Sequence, residues 1–186
     1  MDKDMKDNEQ TGLLLSFREL PSNRRLILTA LFTAAAATIY LLESFLPRIL
    51  PFMKIGLANI IPLILITNKN YREALLVTVA KILLGGLITG TLLSPTTVLS
   101  LSGGLLALLI MITTFKIPVN FSIIGISIAG AVSHNMGQLL AVRILLIRED
   151  EIFYLTPLLI IMGMITGVVT GYIAYLLVNR IKSGRS

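Results

Sequence analysis

The feature that most constrains this chain is a succession of apolar segments separated by short polar stretches. Six of them can be marked, at residues 26–46, 55–67, 73–93, 98–115, 121–147 and 152–178. About 20 apolar residues in an α-helix cross a bilayer, and a backbone in lipid must satisfy its polar groups within the chain. Strand-like alternation is absent. The pattern predicts an all-α integral membrane protein, a compact bundle of six transmembrane helices with a short second helix.

Composition supports this class and excludes others. Hydrophobic residues make up 55% of the 186 and charged residues 14%, against about 45–50% and about 25% in soluble domains. Cysteine is absent and there is one histidine. Disulfides and thiolate chemistry are therefore excluded, and we expect neither a metal nor another cofactor.

The positions of lysine and arginine predict the topology. Eleven of the sixteen basic residues lie on the side that holds both tails, and basic residues favour the cytoplasmic side. We expect a multi-pass protein of the cell membrane with both termini in the cytoplasm. Residues 1–23 form a polar tail, 24–180 the membrane domain and 181–186 a basic tail. The charge of +6 lies in tails and loops, so no nucleic-acid partner is expected.

Small residues recur at every fourth position of the last two segments. They are Gly125, Ala129, Ser133, Gly137 and Ala141 in the fifth, and Gly163, Gly167 and Gly171 in the sixth. Lipid gives helices little hydrophobic drive to associate, so small residues that let backbones approach closely supply the contacts. We interpret these residues as helix-packing positions.

Polar side chains inside the predicted helices need a stronger reason, because an ionisable group at mid-bilayer costs about 2.5–3.5 kcal/mol. The candidates for a substrate-binding pocket are Glu43, Lys54, Asn59, Lys81, His134, Asn135 and Gln138. At about 1.5 Å per residue, Lys81 lies roughly 15 Å deep and needs an anion, either Glu43 or a ligand. At about 100° per residue, the three polar residues of the fifth helix share one face.

Two alternatives stay open for these side chains. The polar residues of the fifth helix can bind across helices as structural contacts alone. Arg143 lies on the face opposite His134 and either extends to the outer headgroups or contacts the ligand. The segment 54–62, with its glycine, asparagine and proline, predicts an interrupted helix of the kind that lines transporter sites.

Motifs for catalysis are missing. The sequence has no phosphate-binding Gly-x-x-x-x-Gly-Lys-Ser/Thr loop, and no aspartate occurs between Asp7 and Asp150. A nucleotide-hydrolysing site, an Asp-rich diphosphate site and a Ser/His/Asp set are therefore excluded for this chain alone. We expect a protein that is not an enzyme.

Several motifs in order resemble those of the Gx transporter family, often labelled heptaprenyl diphosphate synthase component I. They are ESFLP…PFMKIGLAN at 43–59, KILLGG at 81–86, LSGG at 101–104 and FSIIG…AVSHNMGQL at 121–139. The resemblance covers about residues 25–180. That family is similar to the substrate-binding S components of energy-coupling factor (ECF) importers, which are six-helix membrane proteins.

The resemblance implies further properties. S components capture a vitamin or related metabolite and pair with a transmembrane coupling subunit and two ATPases. Their Ala-x-x-x-Ala pattern on the first helix docks the coupling subunit, and Ala30 and Ala34 match it here. Family members often have arginine where this chain has Lys81, so charge is kept and bidentate geometry is lost.

Three hypotheses follow. The first is an S subunit of an ECF-type importer with an outward-open pocket for a small, anionic metabolite or vitamin-like compound. The second is a non-catalytic accessory membrane subunit in polyprenyl diphosphate or quinone synthesis, or in extracellular electron transfer. The third is a structural membrane subunit whose polar residues only hold helices together.

Overall fold

The computed structural model describes residues 20–45, 56–147 and 149–183, and within these ranges it is helical without strands. Its six α-helices are α1 Ser22–Phe45, α2 Ile60–Thr67, α3 Tyr71–Ile88, α4 Pro95–Lys116, α5 Ile123–Leu145 and α6 Thr156–Ser183. Short 3-10 helices, Leu57–Asn59 and Asp150–Leu155, precede α2 and α6. The all-α prediction is confirmed, and each apolar segment carries one helix.

Fewer than six helices have the length and composition of a membrane span. Four of the described segments do: α1, α4, α5 and the continuous helical run Asp150–Arg180. The eight residues of α2 are too few, and α3 carries Arg72, Glu73 and Lys81 within its 18 residues. The chain is a membrane protein, and the crossing of the bilayer by α2 and α3 stays a prediction.

Helix α2 is the buried centre of the bundle. Ile60, Leu63, Leu65 and Ile66 are each at most 6% exposed, and α2 packs against α3, α4 and α6. Its side chains contact protein on all sides, which explains why a continuous apolar run here forms a helix far shorter than a span.

Helices α4, α5 and α6 pack at backbone distance. A Cβ atom added to Gly137 would lie 2.9 Å from the Ser102 carbonyl oxygen of α4, and one added to Gly167 would lie 2.6 Å from Ile128 Cα of α5. Gly163 and Gly171 approach the backbone of α5 in the same way. The predicted close packing is present, but the glycines of α6 meet Ile124, Ile128 and Val132 of α5 and not the row of small residues that begins at Gly125. Gly125 itself has ordinary spacing.

Side chains join α1, α3 and α4 at the end of the bundle where α3 begins. Arg25 Nε donates to Glu73 Oε1 at 2.7 Å, and this carboxylate is 3% exposed. The rings of Tyr71 and Phe115 meet edge to face with centroids 6.3 Å apart. Lys116 Nζ lies 5.0 Å from the centroid of the Tyr71 ring. These contacts join the three helices at this end of the bundle.

Candidate functional site

The 3-10 turn Leu57–Asn59 enters the bundle ahead of α2 and is bound by a carboxylate of α1. It follows Gly56, whose φ of 85° is a left-handed conformation that glycine adopts readily. Glu43 is 5% exposed and accepts hydrogen bonds from Leu57 N at 2.7 Å and Ala58 N at 3.3 Å. The first N–H groups of a helical run lack backbone acceptors, so a carboxylate there is stabilising.

The same turn is bound from α3 by an ammonium group. Lys81 Nζ donates to the Ala58 carbonyl oxygen at 2.8 Å and to Asn59 Oδ1 at 2.6 Å. Lys81 is 2% exposed, and burying an ammonium is costly unless oxygen atoms replace its water. Ala58 is therefore bonded by Glu43 at its N–H and by Lys81 at its carbonyl, and the turn links the two charges.

Hydroxyl groups from α1 and α4 form the next contact. Tyr40 Oη donates to Ser100 Oγ at 3.1 Å, and Ser100 Oγ donates to the Thr96 carbonyl oxygen at 2.9 Å. The Tyr40 ring lies against Gly85 of α3, where an added Cβ would come within 2.4 Å of it. Any larger residue at this position displaces the tyrosine, so the glycine sets where its hydroxyl points.

These groups surround a small cavity. It encloses about 10 Å³, which is room for about one water molecule. It is lined by Tyr40, Glu43, Gly56, Ala58, Asn59, Lys81, Ile82, Ser100, Gly104 and His134. The sequence predicts an outward-open pocket; the structure has a narrow cavity at this position, because the Leu57–Asn59 turn lies between Glu43 and Lys81.

Four of the predicted site residues, Glu43, Asn59, Lys81 and His134, meet at this cavity. Gln138 is buried beside Gly103 of α4, one turn further along α5, and is not among the cavity residues. Lys54 lies outside the described residues.

Asn135 does not share the face of His134 as predicted. Its Nδ2 donates to the Leu159 carbonyl oxygen of α6 at 2.9 Å, while His134 faces α4, with Cε1 3.1 Å from the Cβ position of Gly103. Helix α5 is packed between α4 and α6, so the ~100° between successive residues carries Asn135 to the other neighbour. It is a contact between helices.

Arg143 forms an ion pair that the sequence did not indicate. Its Nε and Nη2 lie 2.7 and 2.6 Å from Asp150 Oδ1, in the segment after α5. The guanidinium is thus directed to the loop and away from the cavity.

Tyr40 and Ser100 are the site residues that sequence reasoning missed. Tyr40 precedes Glu43 by three residues, which places both on one face of α1; that spacing was an available signal. Ser100 had none, since a hydroxyl in a membrane helix usually bonds its own backbone. Among the described residues, no three His, Asp or Glu side chains are grouped so as to hold a metal ion.

A family model described as heptaprenyl diphosphate synthase component I matches residues 32–177. The chain belongs to this family. No curated protein and no solved structure matches it. The part of the chain that matches heptaprenyl diphosphate synthase component I extends from α1 into α6 and contains every residue of the cavity, so the resemblance drawn from the sequence motifs is confirmed at the level of the family.

Proposed function

We propose that the chain is the substrate-binding (S) subunit of an ECF-type importer and captures a small, anionic metabolite or vitamin-like compound. The observation that carries the proposal is the buried ammonium of Lys81, bound to a carbonyl and a carboxamide oxygen of the turn. These two oxygens of the turn are neutral. An anion binds an ammonium more strongly than a neutral oxygen does, and most strongly where water is excluded.

The surroundings of Lys81 support a binding role. Tyr40, Ser100 and His134 line the same cavity and come from three different helices, so they offer convergent polar groups for the rest of a small molecule. The turn and α2 form an interrupted segment, the kind of element that lines sites in transporters. With the termini in the cytoplasm, this cavity lies in the outer half of the membrane.

The proposed partner surface is on α1. Ala30 and Ala34 are exposed on the bundle, one turn apart, and small residues there allow another helix to approach closely. We assign this face to the transmembrane coupling subunit, which is joined in turn by two ATPases. Membrane lipid covers the remaining apolar surface.

The family description favours a second candidate. A component I implies at least one further component, so the chain would be a non-catalytic membrane subunit that assists heptaprenyl diphosphate synthesis. The absence of Asp-rich motifs from the sequence fits an accessory role and argues against a synthase active site in this chain.

Native mass spectrometry of the gently purified protein separates the candidates, because it detects retained solutes and retained subunits together. We expect a bound carboxylate or phosphate compound, with a coupling subunit and ATPases. A prenyl synthase subunit without any solute would favour the second candidate. A protein that carries no solute and no partner in repeated preparations would contradict both.

Lys81→Met tests directly whether the buried ammonium binds the solute. Lys69→Met, at an exposed loop position, is the matched control. The first variant should lose the solute and the control should keep it. If Lys81→Met loses only stability and retains the solute, the ammonium has a structural role alone.

A further inference from the structure

We infer that the Leu57–Asn59 turn occupies the position of the ligand at Lys81, and that the ligand group it replaces is a carboxylate. This inference rests on the proposed function and names its substrate class. The turn is then an internal competitor. The affinity of the site for its solute is set by how readily the turn withdraws.

The geometry around Lys81 carries the assignment of a carboxylate. The turn places a backbone carbonyl oxygen and a carboxamide oxygen on Nζ, at 2.8 and 2.6 Å. Both are planar sp² oxygens, and a carboxylate presents two such oxygens with a full negative charge. One of its oxygens can take the place of a turn oxygen on Nζ, and its charge adds an ionic attraction that the turn lacks.

The small volume of the cavity requires that the ligand displace the turn. The cavity of about 10 Å³ holds no metabolite, so binding must displace protein atoms. Helix α2 is fixed in the core by buried side chains. The 3-10 turn ahead of it has poorer hydrogen-bond geometry than an α-helix, and it begins at the left-handed Gly56. It is therefore the part of the cavity wall that can move without displacing a core helix.

Substitutions at Asn59 should act in opposite directions. Asn59→Ala removes one of the two competing oxygens, so the turn holds Lys81 less firmly and a carboxylate binds with higher apparent affinity. Asn59→Asp gives the turn a carboxylate of its own and closes the site. If Asn59 instead contacts the ligand as an ordinary wall residue, Asn59→Ala weakens binding.

The reactivity of Lys81 measures this competition without knowledge of the ligand. The full-length protein in detergent is reductively methylated with formaldehyde and dimethylamine-borane, and peptide mass spectrometry gives the rate at each lysine. Lys69 and Lys116 are exposed and serve as internal controls for folding and reagent. We expect Lys81 to react about tenfold faster in Asn59→Ala, the scale of one hydrogen bond to a charged group, and more slowly in Asn59→Asp.

Acetate and inorganic phosphate are the two probes. Acetate should slow the methylation of Lys81, at lower concentration in Asn59→Ala than in the wild type, and should leave Lys69 unchanged. Protection by phosphate alone overturns the carboxylate assignment and leaves the importer proposal standing.

The remaining outcomes distinguish the two proposals. If acetate protects Lys81 but the methylation rate of Lys81 is equal in the wild type and Asn59→Ala, the role of the turn is overturned and the binding function stands. The role of the turn is also overturned if Asn59→Ala and Asn59→Asp change the methylation rate of Lys81 equally and in the same direction. If neither anion protects Lys81 in any variant, the anion-binding function fails, and the inference fails with it.

Discussion

At the scale of single residues, Ala58 is the point where two opposite charges meet. Glu43 binds its N–H and Lys81 its carbonyl oxygen, so each charge is compensated by dipoles of the same peptide segment. Buried charges are tolerated when hydrogen bonds replace their hydration, and removal of one partner leaves the other uncompensated. The two residues therefore stabilise the turn as a pair, although they lie on different helices.

Glu43→Gln should detach the turn. The amide keeps the size of the side chain but offers one acceptor oxygen to two N–H donors, and hydrogen bonds to charged groups contribute about 1.5–3 kcal/mol. We expect the free energy of unfolding to fall by about that amount, measured by SDS titration in bicelles. Glu151→Gln makes the same chemical change at an exposed position of the 3-10 helix before α6 and should have little effect. Equal losses in both variants would contradict the role of Glu43.

The sequence identifies the charged members of this site because burial of charge in an apolar segment is conspicuous. Glu43 and Lys81 stand out for that reason, and Asn59 stands out as a polar residue at the start of an apolar run. Sequence reasoning missed Tyr40, although the three-residue spacing to Glu43 was an available signal. It does not place Asn135 correctly, since the contact of that residue depends on which neighbouring helix its face meets. That choice is made by the packing of whole helices and leaves no trace in local spacing.

At the scale of elements, α5 is the helix that organises its neighbours. One face approaches α4 at Gly137 and another receives the glycines of α6, for which Gly167 has the closest contact. The number of helices can be predicted from the apolar segments, and periodic small residues predict close contacts between helices. Neither pattern shows which row of small residues meets which helix. Nor does an apolar run show that α2 is a core helix, because burial in protein and burial in lipid select the same residues.

Gly167→Ala should force α5 and α6 apart. The added Cβ would lie 2.6 Å from Ile128 Cα, a backbone atom that cannot rotate away, and overpacking of this kind costs about 1–3 kcal/mol. Gly125→Ala is the control, since its Cβ would lie no closer than 3.5 Å to Ser122 Oγ. SDS titration should show a loss for the first variant and no loss for the second. The opposite order would show that the two helices can separate freely.

At the scale of the whole molecule, the topology remains a prediction that the chain makes easy to test. It has no cysteine, so a single introduced cysteine reports one position without background. Leu93 is 99% exposed between α3 and α4, and Asn120 is exposed between α4 and α5. These two loops lie at opposite ends of α4.

A membrane-impermeant maleimide applied to intact cells should label Leu93→Cys and not Asn120→Cys. The expectation follows from the lysine and arginine bias, which places the α4–α5 loop with the termini in the cytoplasm. Permeabilised cells should give labelling of both variants, which controls for reactivity. Labelling of Asn120→Cys alone in intact cells would invert the topology and place the cavity on the inner side.

The close approach of three helices on one side of the bundle has a mechanical consequence. Close contacts between backbones cannot be relieved by side-chain rotation, so α4, α5 and α6 move together as one rigid unit. Helix α1 is joined to α3 by longer side chains, such as Arg25 and Glu73, which bend more easily. The half of the bundle that contains the Leu57–Asn59 turn is therefore the more deformable one. A displacement of α1 is accommodated there before it reaches α4, α5 and α6.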